Sequence, residues 1–412
     1  MLRQKGARLG TTNSLERSLL VLLFFFLVAG VLAVGSASAP QAAASGGSSW
    51  SYLERDLLFV LVGVVAFIFM TRITSAFLAN FATAFMALSL GLLVVVEALG
   101  SSASGGQRWL GFSGLQFQPS ELFKLATCIY LAYAVARIER SGRNWQAILK
   151  AAVPPLLGAM IIFAEPDMGT ASIIVLVTFA VLIVAGLPGR TIRLFAFMGV
   201  VLAGIFAFAA PYRRERLLSF LHPTSDPTGA GYQVLQAKIG LGAGRVAGLG
   251  YGQSREKWGL LPNPHTDFIF AIIGEELGFI GAVFVIALFA WLLILACKIA
   301  LRAPDRESQL LAAGITFWLG FEAVINIASV VGLWPVTGIP LPFFSYGGTS
   351  LIIDLMALGL LVNVARRIKP PRPFEAQVPS VRAHQRRPTR RREHVSPRRE
   401  MRQPVRETVS RH

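Results

Sequence analysis

The sequence predicts an all-α polytopic membrane protein. It has about ten transmembrane helices and a large extracytoplasmic loop between helices 7 and 8. Three observations carry this class. Of 412 residues, 54% are hydrophobic and 15% charged, against about 25% charged in an ordinary soluble domain. Mean hydropathy is +0.59, and many stretches reach the roughly 18–20 apolar residues that span hydrocarbon. Basic residues gather in alternate connections, as cytoplasmic loops do. Together these exclude an ordinary soluble enzyme, a disordered chain and a disulfide scaffold.

The elements follow in order. Residues 1–17 form a basic cytoplasmic segment with Arg3, Lys5, Arg8 and Arg17, and the membrane domain spans 18–368. Apolar segments fall at 18–36, 57–71, 76–99, 119–137, 147–164, 168–187, 192–210, 267–297, 309–334 and 348–365. With the N-terminus inside, every cytoplasmic connection is basic: Arg72, then Arg137, Arg140 and Arg143, then Arg190 and Arg193, then Lys298, Arg302 and Arg306. An even helix count returns the C-terminus to the cytoplasm. The first span also resembles a signal peptide, ending in Ala37-Ser38-Ala39, but is read as an uncleaved anchor because further spans follow it directly. The Ser/Ala/Gly-rich 37–50 stretch reads as a flexible outer loop. Residues 369–412 read as a disordered basic tail near anionic lipid heads. From Arg366 onward, fifteen basic residues against four glutamates supply +11 of the net +17.

Polar groups inside hydrocarbon are costly and mark functional candidates. Leu261-Pro-Asn-Pro-His-Thr-Asp-Phe268 leads into the eighth span. Thr266 is placed to cap that helix, which puts Asp267 in its first turn, where the dipole favours a carboxylate. Glu275 lies about 80° around the helix from Asp267, and Glu276 on the opposite face. Gly106-Gln-Arg-Trp runs to Gln118-Pro-Ser-Glu-Leu-Phe-Lys124, with Pro119 at a first helical position and Gln118 or Ser120 as cap. Glu121 and Lys124 sit i,i+3 and pair on one face; if the pair opens toward Asp267, Lys124 would hold that carboxylate ionised. Glu165-Pro-Asp-Met-Gly169 is an outer turn carrying Asp167. Pro335 to Ser350 is non-helical at membrane depth, which requires burial in protein or a cavity wall. All four stretches converge on the outer side. The loop 211–266 is basic there too, with Arg213, Arg214, Arg216, Lys238, Arg245, Arg255 and Lys257, and this suggests an anionic ligand.

Other chemistries find no support. No Cys/His metal spacing, Walker A loop or HExxH motif occurs, and Gly248, Gly250 and Gly252 lack the strand-turn-helix setting of a dinucleotide site. Cys128 and Cys297 read as small buried hydrophobes. The basic tail follows an apolar span, so nucleic acid is not the expected partner.

These motifs, together with Gly231-Tyr-Gln233 and Gly338 to Ser350, resemble the SEDS family of bacterial cell-wall polymerases over roughly residues 15–370. Lys257 to Asn263 and Ile272-Ile-Gly274 are similar to its FtsW branch more than to RodA. Asn263, Glu165 and Ala237 depart from the family pattern, where Glu, Gln and Ser are frequent.

The resemblance implies a peptidoglycan glycosyltransferase that polymerises lipid II at the outer face of the bacterial plasma membrane, in division or elongation. It implies Asp267 as the essential carboxylate. Arg108, Trp109, Glu121, Lys124, Asp167, Arg213, Arg216, Lys257, Glu275, Ser345 and Tyr346 are the supporting or pyrophosphate-binding candidates. It implies lipid II, a nascent glycan strand, membrane lipids and a class B penicillin-binding protein as partners. No organic cofactor is expected; a divalent cation, Mg2+ or Mn2+, would be shared with the pyrophosphate, and its ligands are unknown. The alternatives are a lipid II flippase and a non-catalytic scaffold for a transpeptidase. A flippase needs a polar path to both faces, for which Glu322 and Asp354 are the expected inner-half charges.

Overall fold

The computed structural model describes residues 14–44, 51–103, 106–112, 115–209, 220 and 229–368. The N-terminal 1–13, the tail 369–412 and the loop candidates Arg213 and Arg216 lie outside the described residues. The helices are α1 (Ser14–Ala44), α2 (Ser51–Arg72), α3 (Ser75–Leu99), α4 (Pro119–Arg140), α5 (Trp145–Ala151), α6 (Val153–Ala164), α7 (Met168–Val184), α8 (Gly189–Ala209), α9 (Ala230–Ala243), α10 (Ile269–Arg302), α11 (Arg306–Val330) and α12 (Gly348–Arg367). Each predicted apolar segment falls on helix. Among the described residues, six spans are long and apolar enough to cross a membrane: α1, α3, α5 with α6, α10, α11 and α12.

The helices divide into an inner and an outer set. The apolar windows of α11 and α12 are 78% and 83% buried, those of α1 and α3 33% and 28%. The outer helices therefore keep apolar faces for lipid, while the inner ones meet protein all round. α4 is inner too. It packs on α3, α7 and α11, so its Ser120, Glu121, Lys124 and Thr127 are buried among side chains rather than in lipid. α1 is part of this core: Leu19, Leu22 and Phe26 are fully buried. At Gly30 a Cβ would lie 2.2 Å from the Phe343 carbonyl oxygen, so only glycine lets α1 approach that loop. Cys128 is buried as expected, but Cys297 is exposed. It stands on the outward face of α10, where a thiol is apolar enough to face lipid.

Four local features depart from the expectation. Residues 37–44, read as the start of a flexible loop, continue α1 as helix through Ala44, with Pro40 inside it. The 100–118 connection is a small three-stranded antiparallel sheet: Ser101–Ala103, Gly106–Phe112 and Leu115–Phe117, with Trp109 opposite Ser101 and Leu110 opposite Phe117. The fifth apolar segment is two helices, stepping at Ala152 just before Pro154-Pro155. And α10 is broken at Gly278, whose φ is +68°. The break frees backbone groups that pair with residues 245–250. Leu249 and Gly250 N–H donate to the Glu275 and Glu276 carbonyls at 3.0 Å each, and Phe279 and Ile280 N–H donate to Arg245 and Val246 at 2.8 and 3.2 Å. A Cβ on Gly248 would stand 2.1 Å from the Glu276 carbonyl. That close approach is the use of this glycine.

Candidate active site

Asp267 is the half-buried centre of the site. Contrary to the expected cap, α10 begins at Ile269 behind Phe268, with no side-chain cap. Thr266 Oγ1 instead donates to the Asn263 carbonyl at 3.3 Å. Asp267 thus precedes the helix, and its backbone is fixed by other segments. Asn326 Nδ2, from α11, donates to the Asp267 carbonyl at 2.9 Å and to the Ile339 carbonyl at 2.8 Å. Ser345 Oγ donates to the Thr266 carbonyl at 2.7 Å and accepts from Leu341 N–H at 2.8 Å. Tyr346 N–H donates to the His265 carbonyl at 2.8 Å, and its ring packs on His265 and Tyr52. The non-helical 335–347 run is therefore the wall against which Asp267 stands. A Cβ on Gly338, at φ +73°, would lie 3.6 Å from Asp267 Oδ2. Burial pushes His265 down to about 4, so it is neutral at physiological pH.

The other polar stretches gather beside the same wall, Gly169 directly and Arg108 and Gln118 through the Asp167 turn. Asp167 caps α7, accepting from Thr170 N–H at 3.0 Å. Two residues on, Gly169 packs so tightly on the 335–347 run that a Cβ there would sit 2.9 Å from the Thr337 carbonyl oxygen. Gln118 Nε2 reaches Asp167 Oδ2 at 3.5 Å. Thr349, opening α12, accepts from Gln118 N–H at 3.3 Å and donates to the Gln116 carbonyl at 3.1 Å. Arg108, on the middle strand beside Trp109, donates to the Glu165 and Pro166 carbonyls at 2.8 and 2.7 Å. The Glu165 carboxyl is raised to about 8, first by burial, then by Asp167 and Glu97, with Arg108 opposing.

Lys124 is not directed as the alternative reading proposed. It is buried, pairs with Glu121 at 2.7 Å and with Glu322 of α11, and lies 5.2 Å from the Trp318 ring centre. Glu322 and Asp354 are thus not inner-half charges. Asp354 lies on the second turn of α12, beyond the Gly347 cap, and Glu322 is one turn from Asn326, so both belong to the half of the bundle that holds Asp267. The flippase reading loses the inner polar groups it relied on.

Lys257 and Glu275 form a separate cluster. Lys257 is buried, donating to Glu276 at 2.7 Å, Ser36 at 2.9 Å and the Gly252 carbonyl at 2.9 Å. Glu275 accepts from Ser254 Oγ at 2.5 Å and from Arg255 N–H at 2.9 Å. Both glutamates anchor the 252–257 loop to the broken helix, and Ser36 ties that anchor to α1. Lys257 is spent on Glu276 rather than presented to a ligand. Sequence reasoning missed Asn326 and Thr349; a buried Asn in an apolar span was the available signal.

Among the described residues, no three His, Cys, Asp or Glu side chains converge as a metal site. A hard cation here would need waters and ligand oxygens beside a single carboxylate.

The FtsW/RodA/SpoVE family model, described as a cell cycle protein, matches residues 17–369. Stage V sporulation protein E of Bacillus subtilis (strain 168) is 38% identical over 354 residues, covering 84% of this chain and 96% of that protein. A probable peptidoglycan glycosyltransferase FtsW of Trichlorobacter lovleyi is 37% identical over 347 residues, covering 82% and 90%. Among solved structures, a chain of a peptidoglycan synthase complex that coordinates polymerization and crosslinking superposes with a TM-score of 0.71 at 31% identity, covering 88% of this chain and all of that one. The rod shape determining protein RodA of Thermus thermophilus does so at 0.62 and 29%, covering 86% and 97%.

Proposed function

The chain belongs to the FtsW/RodA/SpoVE family of peptidoglycan glycosyltransferases, and from that premise we propose that it polymerises lipid II with Asp267 as general base. The carrying observation is the placement of the Asp267 carboxylate: half-buried, and backed by the 335–347 wall on which Asp167's turn also packs.

Asp267 takes the proton of the acceptor GlcNAc 4-hydroxyl. That oxygen attacks the anomeric carbon of the donor MurNAc. The C–O bond to pyrophosphate breaks, undecaprenyl pyrophosphate leaves, and configuration inverts. A positioned base contributes typically about 10²–10⁴-fold. Asn326 and Ser345 hold the flanking backbone, so the carboxylate is aimed before substrate arrives. Arg108 lies at the same face, with Nε and Nη2 fixed on carbonyls, and would offset charge on the leaving group. Arg213 and Arg216 are assigned the same role from the charge of their loop alone. Mg2+ or Mn2+ arriving with the pyrophosphate would neutralise charge there, held mainly by substrate oxygens and water with one carboxylate such as Asp167.

The ten helical segments support ten crossings with both termini cytoplasmic. Arg140, Arg306, Arg366 and Arg367 gather at the end away from Asp267, as cytoplasmic positive charge would. The membrane is then the bacterial plasma membrane. The likeness to a synthase complex that couples polymerization to crosslinking supports a class B penicillin-binding protein as partner. The FtsW and sporulation relatives support a septal rather than side-wall role.

The test is glycan synthesis from purified lipid II, with the cognate class B penicillin-binding protein present. Wild type is expected to make strands and Asp267→Asn to lose at least about 10²-fold while staying folded. Undiminished synthesis by Asp267→Asn would overturn the base assignment.

A further inference from the structure

The end of the molecule away from Asp267 is a belt of ion pairs: Arg306 with Glu139, Arg140 with Glu307, Arg366 with Glu16 and Arg367 with Asp305. Among the cations at that end outside these pairs, two stand side by side on neighbouring helices. Arg137, in the last turn of α4, sends its hydrogen bond to the Ala79 carbonyl at 3.3 Å. Lys150, in the last turn of α5, is equally unmatched. Among the described residues neither has a carboxylate within ion-pair distance. Both line one cavity of about 330 Å³ between α3, α4 and α5. Its remaining wall is aromatic and apolar, with Tyr130, Tyr133 and Ile138, and Thr83 at its α3 side. The Tyr133 hydroxyl is already bonded to Ser75 at 3.2 Å.

Such a cavity asks for two chemistries at once. Two uncompensated cations ask for an anion, and a phosphate oxygen is what a guanidinium matches best. An apolar wall between membrane helices asks for hydrocarbon. The cavity also sits at the membrane boundary. Trp145 opens α5 there, with the Arg143 guanidinium 4.8 Å from its ring centre, and Trp is a residue of that boundary. We propose that this cavity is a binding site for an anionic phospholipid, with the phosphodiester between Arg137 and Lys150 and an acyl chain along Tyr130. Basic pockets between helices bind anionic headgroups in this way. The site is independent of the chemistry at Asp267.

The full chain is reconstituted in nanodiscs of phosphatidylcholine with or without phosphatidylglycerol, and retained lipid is counted by native mass spectrometry. Wild type is expected to retain one phosphatidylglycerol in preference to phosphatidylcholine. Arg137→Gln with Lys150→Gln should lower that preference about 30-fold, equivalent to about 2 kcal/mol. Thr83→Trp keeps both charges but fills the cavity, and should lower it as well. Lys298→Gln with Arg302→Gln, on the same end but outside the cavity, should leave it intact. Polymerisation is read beside each variant as proof of fold. Equal loss in the Lys298/Arg302 variant would mean diffuse surface charge and overturn the site, as would undiminished preference in both cavity variants. Heat protection by inorganic phosphate in pure phosphatidylcholine discs, matching that by phosphatidylglycerol, would replace the lipid with a free anion.

Discussion

The Asn326 amide donates from one nitrogen to two main-chain carbonyls, Asp267 at 2.9 Å and Ile339 at 2.8 Å. One side chain of α11 thereby joins the segment that carries the carboxylate to the loop that walls it. Replacing it removes the amide's hydrogen bonds to both carbonyls, at about 1–3 kcal/mol. Asn326→Ala should therefore lower the melting temperature and slow polymerisation by about 10–100-fold, because small misplacement of a reacting group is expensive. Asn326→Asp should be worse, since a carboxylate would face both carbonyls. Initial rates on lipid II beside melting curves decide it. A melting shift with an unchanged rate would make the clamp purely structural.

Gly338 tests the wall itself. Its φ of +73° favours glycine, and a Cβ there points at Asp267 Oδ2. Gly259 has a φ of +95° and open space around it. Both Ala variants carry a similar backbone cost of about 1 kcal/mol. Only Gly338→Ala should also slow polymerisation, by about tenfold, because its methyl group would stand in van der Waals contact with the Asp267 Oδ2 that is to meet the acceptor hydroxyl. Equal rates in the two variants would show that the contact does not position the carboxylate.

The buried Lys257–Glu276 pair separates anchoring from ligand binding. Removing one member strands the other charge, at about 3–5 kcal/mol, whereas replacing both by apolar residues is often close to neutral. Lys257→Met alone should be unstable. Lys257→Met with Glu276→Leu should recover most stability and, with it, polymerisation. A double variant that is stable yet inactive would restore Lys257 as a pyrophosphate ligand.

Most of the fold was legible in the sequence because lipid imposes length and apolarity on every span, and each predicted segment lies on helix. The convergence of the four polar stretches was legible for the same reason, since each had to be buried or line a cavity. What was not legible was pairing across the chain. Lys124 could be read against Glu121 three residues away, but Glu322 lies 198 residues on. Lys257 finds Ser36 221 residues away. The break at Gly278 was hidden because its cause is the backbone of 245–250 inserting into the helix, and nothing in the apolar pattern of α10 records that. Thr266 looked like a cap because it precedes an apolar run, yet its hydroxyl found the Asn263 carbonyl first.

Glu165 gives the pH prediction. Its carboxyl sits at about 8 in the folded protein against an ordinary value of 4.5, raised by burial first and then by Asp167 and Glu97. Between those values the unfolded chain has released a proton that the folded chain retains. The unfolded state therefore binds fewer protons, and stability falls as pH rises from about 4.5 to about 8. Glutamine cannot ionise and so removes this slope. It also keeps the main-chain carbonyl to which Arg108 Nε donates, so polymerisation should survive. Glu165→Gln should melt with wild type at pH 5 and about 2–4 °C above it at pH 8. Melting curves in one detergent at both pH values measure it directly. A gain of the same size at pH 5 would assign the effect to shape rather than to the proton.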